Sequence, residues 1–345
     1  MSLSRRVRFP LLKLPYLCIE SVFKSWDIFD IIFFALISQK TRRIVKILKI
    51  PMSGIQIFGY DPTRICLGDF PKVWFFSKPN LESSFDHNSG NIPLMLRNNS
   101  VPLYTSRTNH YLMSYTHQNT IAASKTVLEF LTEVFKCSVE SVKINQDNIP
   151  VSGDIGVKST VNLSIDHNSS QPFGYAQSQK LELFLENLEV TGDCWMTNTK
   201  NDFYVDPKLF KCRKLVFTSG SNAWVAREIL MQFGVPGLNF CDCSFSLEVI
   251  LSFVTHWFHS DNKTLEYLYI GFRWPVSLDE FRTSELNLVP FSERNRVPLS
   301  ESFRGIDFSK GLEIVRHDGL VATIHVTRGA FLFYIWHVQP AITQN

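Results

Sequence analysis

Residues 26–37, WDIFDIIFFALI, leave this chain the fewest folding options. From Ile28 to Ile37 every position is apolar except Asp30. The run is too short to span a bilayer and carries two Asp, so it reads as a short helix with grease on nearly all sides. Such a helix must be covered from several directions. Asp27 sits where an N-cap belongs, and Asp30 three residues on is a reduced form of the capping box. Just upstream, Leu14-Pro15 opens a helix at a position where a missing N–H costs nothing. Ile19, Val22, Phe23 and Trp26 then follow at i, i+3, i+4 and i+7 on one face. Downstream, Ser38 can cap a third helix with Ile44, Val45 and Leu48 inward and Lys40, Arg42, Arg43, Lys46 and Lys49 outward. About forty residues cannot bury their own apolar surface on this plan. The stretch therefore reads as a docking module.

The rest of the chain is long enough for a sizeable core, with 345 residues of which 45% are hydrophobic and 29 are Phe. Net charge is +3, but residues 1–50 hold ten Lys/Arg against three Asp/Glu and the remainder is net acidic. A nucleic-acid binder spreads its basic surface over the main domain, which this distribution does not do. The seven Cys are scattered without a C-x-x-C, and no apolar leader core precedes the first helix. A reduced, intracellular protein of the cytoplasm or nucleus, with no membrane span, is the expectation. The sequons at Asn98, Asn162, Asn168 and Asn262 are then chance matches.

After residue 50 the pattern turns to strands at 54–58 and 73–76, followed by a polar stretch from about 78 to 110 that reads as loop. Val127, Leu128, Leu131, Val134 and Phe135 form one helical face with Ser124 as its cap. Val139 to Ile144 alternates as a strand, and 166–178 reads as loop. Leu181–Leu185, Leu215–Phe217, Leu238–Cys241 and Leu265–Ile270 are strand-like pieces. Helical stripes lie between them at Val225, Ile229 and Phe233, and from Leu247 to Phe258. Strand starts at 215, 238 and 265 fall at leucine-rich-repeat spacing. Such units stack because none can bury its own apolar face, and their strands line one surface. Ser277 and Glu280 make a capping box for a short helix. Three strands then follow at 312–316, 320–327 and 331–337, joined at Asp318-Gly319 and Arg328-Gly329, strong hairpin signals. Leu320, Ala322, Ile324 and Val326 share one face of the middle strand, and the last strand is apolar on both faces, so it should be covered.

The run Phe9-Pro10-Leu11-Leu12, Leu14-Pro15 and the three helices ending in Lys-Thr-Arg-Arg-Ile-Val-Lys resembles an F-box of the nematode type. Residues 208–274, with Trp224 after a strand and Trp257 before Leu265-Glu-Tyr-Leu, look like the type 2 F-box-associated domain of nematodes. The tail from Gly319 with Phe333 and Trp336-His337 is similar to the close of those proteins. The resemblance covers most of the chain outside 78–120 and 145–178. It implies an α+β architecture with a small three-helix F-box at 1–50. An α/β, degenerate leucine-rich-repeat-like region follows at 51–300, and a C-terminal antiparallel β-meander packs on it at 301–345. It also implies a Skp-type adaptor and, through it, a cullin as partners. The adaptor contact is expected at Pro10, Leu12, Leu14, Pro15, Ile19, Val22, Phe23, Ile32 and Leu36. The helical module as a cap on an unrelated domain is the bland alternative.

Candidate chemistry is sparse. Cys241 and Cys243 stand two apart on a strand, sharing a face, but no other Cys or His pair completes a four-ligand zinc site, so they read as buried thiols. His256 and His259 are i, i+3 on a helix with no third ligand, and read as helix-end histidines. Ser219-Gly220-Ser221 lacks the glycines of a nucleophile elbow. Gly153 to Gly156 is too short for a dinucleotide loop. Glu182, Glu186 and Glu189 read as a solvated edge. The basic face of the third helix has no aromatic platform beside it, which disfavours nucleic acid. No cofactor and no catalysis by this chain are expected. The function implied is the substrate-recognition subunit of a Skp–cullin–F-box ubiquitin ligase. The alternatives are a nucleic-acid binder using the basic helices and an enzyme whose site the motifs do not reveal.

Overall fold

The computed structural model describes residues 11–50, 52–59, 63–68, 72–77, 92–94, 103–107, 111–115, 120–146, 149, 154–166, 175–197, 204–218, 222–272, 277–281, 286, 288–292, 303, 306–327 and 329–337. Helices and strands share the fold, so the class is α+β. By internal contacts the chain divides into two compact units, 1–139 and 140–345.

The first unit opens with three helices, α1 (Tyr16–Lys24), α2 (Ile28–Ile37) and α3 (Gln39–Leu48). Both expected caps form. Asp27 accepts from Phe29 N at 2.9 Å, and Ser38 Oγ accepts from Thr41 N at 3.2 Å while Thr41 Oγ1 accepts from Ser38 N at 3.0 Å. Strands β1 (Ile55–Gly59), β2 (Thr63–Leu67) and β3 (Val73–Ser77) form an antiparallel meander. Beyond it, β4 (Ile92–Leu94), β5 (Leu103–Arg107) and β6 (Tyr111–Tyr115) give a second antiparallel set, joined by parallel pairing of β3 with β6. Part of the polar stretch read as loop is thus strand. β5 is held by pairing with β6 and β4 by pairing with β5, and neither has the apolar alternation that would mark it in sequence. Trp74 Nε1 donates to Ser114 Oγ at 2.8 Å across the β3–β6 junction, satisfying a buried indole. α4 (Thr120–Phe135) packs on β2 and β3 through residues such as Val127, Leu131 and Val134, and α3 leans on α4. Ser124 is buried inside α4 and is not its cap, because the helix starts a turn earlier.

The second unit is built on one sheet. β7 (Val139–Asn145), β9 (Asn162–Asp166), β11 (Asp193–Thr197), β12 (Lys214–Phe217), β13 (Gly237–Cys243) and β14 (Tyr267–Phe272) follow one another in parallel. A small separate pair, β8 (Ser159–Thr160) and β10 (Glu189–Val190), accompanies them. From β14 the pairing becomes antiparallel through β18 (Ala330–Trp336), β17 (Val321–Thr327), β16 (Leu312–Val315) and β15 (Val289–Pro290). The C-terminal meander therefore continues the sheet edge to edge and is not a layer packed on it. β18 sits between β14 and β17, which is how a strand apolar on both faces is covered.

Register aligns the core. Val142, Leu163, Cys194, Leu215, Leu238, Leu268 and Phe333 stand side by side across seven strands. Ile144, Ile165, Met196, Phe217, Phe240, Ile270 and Phe331 form the next row. All are buried. Phe217 and Phe240 stack at 4.7 Å, and Trp257 from α7 (Leu247–His259) meets Phe333 edge-on at 5.0 Å. Two sequence expectations fail on this side. Leu181–Leu185 belongs to α5 (Tyr175–Asn187), whose buried Leu181, Phe184, Leu185 and following Leu188 have helical spacing. The 225–233 stripe keeps only one helical turn, α6 (Arg227–Leu230), because Gly234 and Pro236 follow at once.

Candidate docking surfaces

The N-terminal helices owe their arrangement to α2. Phe29, Ile31, Ile32 and Ala35 of α2 are buried, as are Ile19 and Phe23 of α1 and Val45 and Leu48 of α3, and α2 packs along α3. Phe23 meets Trp26 at 4.6 Å and Phe34 at 5.0 Å, so a small aromatic cluster ties the α1–α2 corner. The residues expected to meet an adaptor therefore divide. Ile19, Phe23 and Ile32 are spent on the module's own interior, with 8%, 2% and 0% of their surface exposed. Leu14, Val22 and Leu36 are half-buried and Pro15 is exposed. Pro10 and the side chain of Leu12 lie outside the described residues. The outward apolar surface belongs instead to Tyr16, Leu17, Ile37 and Ile47, with Leu17 and Ile37 more than 70% exposed. Tyr16 Oη donates to Ile47 O at 3.4 Å, which brings the start of α1 beside the end of α3. Sequence periodicity does not single these four out, since Tyr16 and Ile47 stand three residues from Ile19 and Ile44 on the inward stripes and Ile37 ends a helix that is apolar nearly all round. Only knowledge of what α2 spends inside the module exposes them.

The basic face of α3 is likewise partly consumed. Lys46 Nζ pairs with Glu133 Oε1 of α4 at 2.6 Å, and the Arg42 guanidinium lies over the Phe130 ring at 5.1 Å. Lys40, Arg43 and Lys49 remain exposed.

In the second unit the face of the parallel sheet opposite the buried ladders carries Ser164, Trp195, Val216, Asn239 and Tyr269 in one row. Asp193 and Lys214 neighbour each other in the next row. Trp195 is 39% exposed, with Lys214 Nζ over its ring at 5.6 Å and 3.8 Å from Asp193 Oδ2. On the antiparallel side this face is closed. Phe303 and Phe308 pack with Tyr267, Leu332, Tyr334 and Trp336, and Trp336 Nε1 donates to Thr323 Oγ1 at 2.6 Å. Thr323 and His325, whose side of β17 the alternation leaves polar, are buried by this cover.

The β-bulge at Asp242, a residue with φ 53°, puts Cys241 and Cys243 on opposite faces, so they do not share one as their spacing suggests. Burial pushes the Cys137 and Cys243 thiols up to about 11. A hydrogen bond with Cys212, together with burial, raises Cys194 well above the ordinary range. Thiols held protonated in this way are poor nucleophiles. His256 and His259 are exposed at the end of α7. Ser219 to Ser221 and Gly153 lie outside the described residues. Among the described residues no group of three or more His, Cys, Asp or Glu is placed to hold a metal ion, and no helix is long and apolar enough to cross a membrane. Comparison with protein-family models, with curated proteins and with solved structures finds no match for this chain.

Proposed function

We propose that this protein is a substrate receptor of a Skp–cullin–F-box ubiquitin ligase. One observation carries the reading. After the module's own core has covered most of α2, an apolar edge of Pro15, Tyr16, Leu17 and Ile47 is still turned to solvent, and Ile37 is exposed at the other end of α3. Exposed large apolar residues gathered on a small helical module mark an interaction surface. The adaptor contacts this edge together with Leu14, Val22 and Leu36. The target is held by the second unit, whose parallel strands succeed one another in chain order in the manner of a leucine-rich repeat and leave Trp195, Lys214 and Asn239 accessible. An exposed Trp beside polar groups is the composition of a binding hot spot. The corresponding face of the meander is already covered by Phe303 and Phe308, which leaves the parallel strands as the target surface. The chain performs no bond-making step. It raises the target's effective concentration at a ubiquitin-loaded subunit supplied by the complex.

The test is co-purification of the full chain with a Skp-type adaptor, beside the Leu14→Ala/Pro15→Ala double variant and Leu17→Glu. Wild type retains the adaptor, and both variants lose it while keeping their circular dichroism. Well-folded wild type that retains no adaptor overturns the reading. Oligonucleotide binding that falls steeply with salt would move the assignment to nucleic acid.

A further inference from the structure

A cleft of about 560 Å³ opens on the first unit where the α1–α2 corner, the end of α3 and the start of β3 meet. Its size is that of a ligand pocket. Trp26, Ile28, Leu48 and Ile50 supply an apolar lining. Trp26 is held in place by Phe23 at 4.6 Å and Phe34 at 5.5 Å, so the indole is a fixed platform. Around it stand three ammonium groups, Lys24, Lys49 and Lys72, and two carboxylates, Glu20 and Asp27.

Both carboxylates are occupied. Glu20 pairs with Lys24 at 2.8 Å, and Asp27 pairs with Lys72 while also capping α2. Lys49 has no carboxylate partner among the described residues, and it ends α3 in the left-handed conformation, φ 46°. The rim thus carries a surplus positive charge over an apolar floor.

We propose that this cleft binds an acidic segment of a partner protein, seating one aromatic or long aliphatic side chain on Trp26 with a flanking carboxylate on Lys49. Charge complementarity selects this occupant. A basic segment would bring its charges against Lys49 with no free carboxylate to meet them, and a neutral one would leave the ammonium unused. The cleft shares no residue with the apolar edge proposed for the adaptor, although Leu48 adjoins Ile47, and its peptide test does not use the adaptor.

The experiment uses the full chain with two blocked hexapeptides, Glu-Glu-Leu-Phe-Glu-Glu and Lys-Lys-Leu-Phe-Lys-Lys, with dodecanoate as a third probe. Each is titrated against bound anilinonaphthalene sulfonate fluorescence. The acidic peptide displaces the dye and the basic one does not. Lys49→Asn keeps the left-handed backbone, since Asn tolerates it, and weakens the acidic peptide about fivefold, the size of one half-exposed ion pair. Ile28→Glu abolishes its binding. Equal displacement by both peptides, no displacement by either, an unchanged affinity in Lys49→Asn, or displacement by dodecanoate alone each overturns the proposal. The last outcome would reassign the cleft to a free anionic amphiphile.

Discussion

At the scale of single residues, several positions are set by contacts that only one residue type tolerates. A Cβ on Gly237 would lie 2.6 Å from the Tyr267 ring, which rests across the glycine and is locked at 5% exposure among Phe303, Tyr334 and Trp336. Gly237→Ala should cost about 1–3 kcal/mol in chemical denaturation, and Tyr267→Leu in the same chain should return part of it. Additive losses would mean that the two do not touch in solution. Arg316 has a fully buried side chain. Its guanidinium donates twice to Asp318, at 2.9 and 2.8 Å, and to Asn262 O at 2.8 Å, and it lies over Trp257 at 4.9 Å. The Arg316 hydrogen bonds hold the Asp318 carboxyl well below its usual range, while burial lowers His325 from its ordinary value. Both folded values lie below the unfolded ones, so the unfolded chain binds more protons and stability falls with falling pH. The His325 contribution fades first, below about 6.5, and that of Asp318 below about 3.9. Melting curves across pH should show a flatter upper window in His325→Phe and a flatter lower one in Asp318→Asn. Unaltered slopes would remove these two groups as the cause.

At the scale of elements, the caps of the N-terminal helices were legible from residue order alone. The Ser38–Thr41 box forms with both hydrogen bonds near 3 Å. Ser38→Ala should lower stability by about 1 kcal/mol, read from the denaturation midpoint of the full chain. Ser38→Asp should recover most of it, and failure to recover would assign the loss to packing instead of capping. The errors at this scale share one cause. Leu181–Leu185 and the β4 and β5 segments of the 78–110 stretch differ from the sequence expectation because short apolar or polar runs do not reveal their period until neighbours are known. The strands within 78–110 exist by pairing, and α5 exists by burying a helical face that a five-residue window cannot display. Cys241 and Cys243 were misplaced for a related reason, since one inserted bulge residue inverts the alternation that follows it.

At the scale of the whole molecule, topology matters more than composition. β18 pairs with β14 on one side and β17 on the other, placing residues 330–336 in the interior of the second unit's sheet. Truncation after Gly329 should therefore remove Phe331 and Phe333 and leave β14 without its antiparallel partner, exposing Leu268 and Ile270 at the cut end of the apolar rows. The shortened chain is expected to be recovered in the insoluble fraction, and a soluble, cooperatively melting product would refute that role for β18. The sheet face opposite the ladders is divided by the same arrangement, closed over the meander and open at Trp195. Under the proposed receptor role, Trp195→Ala should keep the wild-type melting curve and capture less of any protein that the wild-type chain retains from a lysate. Equal capture would direct the search for the target surface elsewhere.

Local order by itself determined the three N-terminal helices and two of their caps, the strand–helix rhythm after residue 210 and the three closing strands. In each the periodicity or turn chemistry acts within a few residues. Tertiary structure alone decided which apolar residues remain outside. Ile32 and Leu17 are indistinguishable by hydrophobicity, yet one is buried and the other 72% exposed. It also decided that Lys46 and Arg42 turn toward α4, that the meander extends the sheet, and that Trp26 faces an open cleft. Each of these depends on contacts between segments far apart in the chain, and a residue's surface is what remains after such contacts have formed.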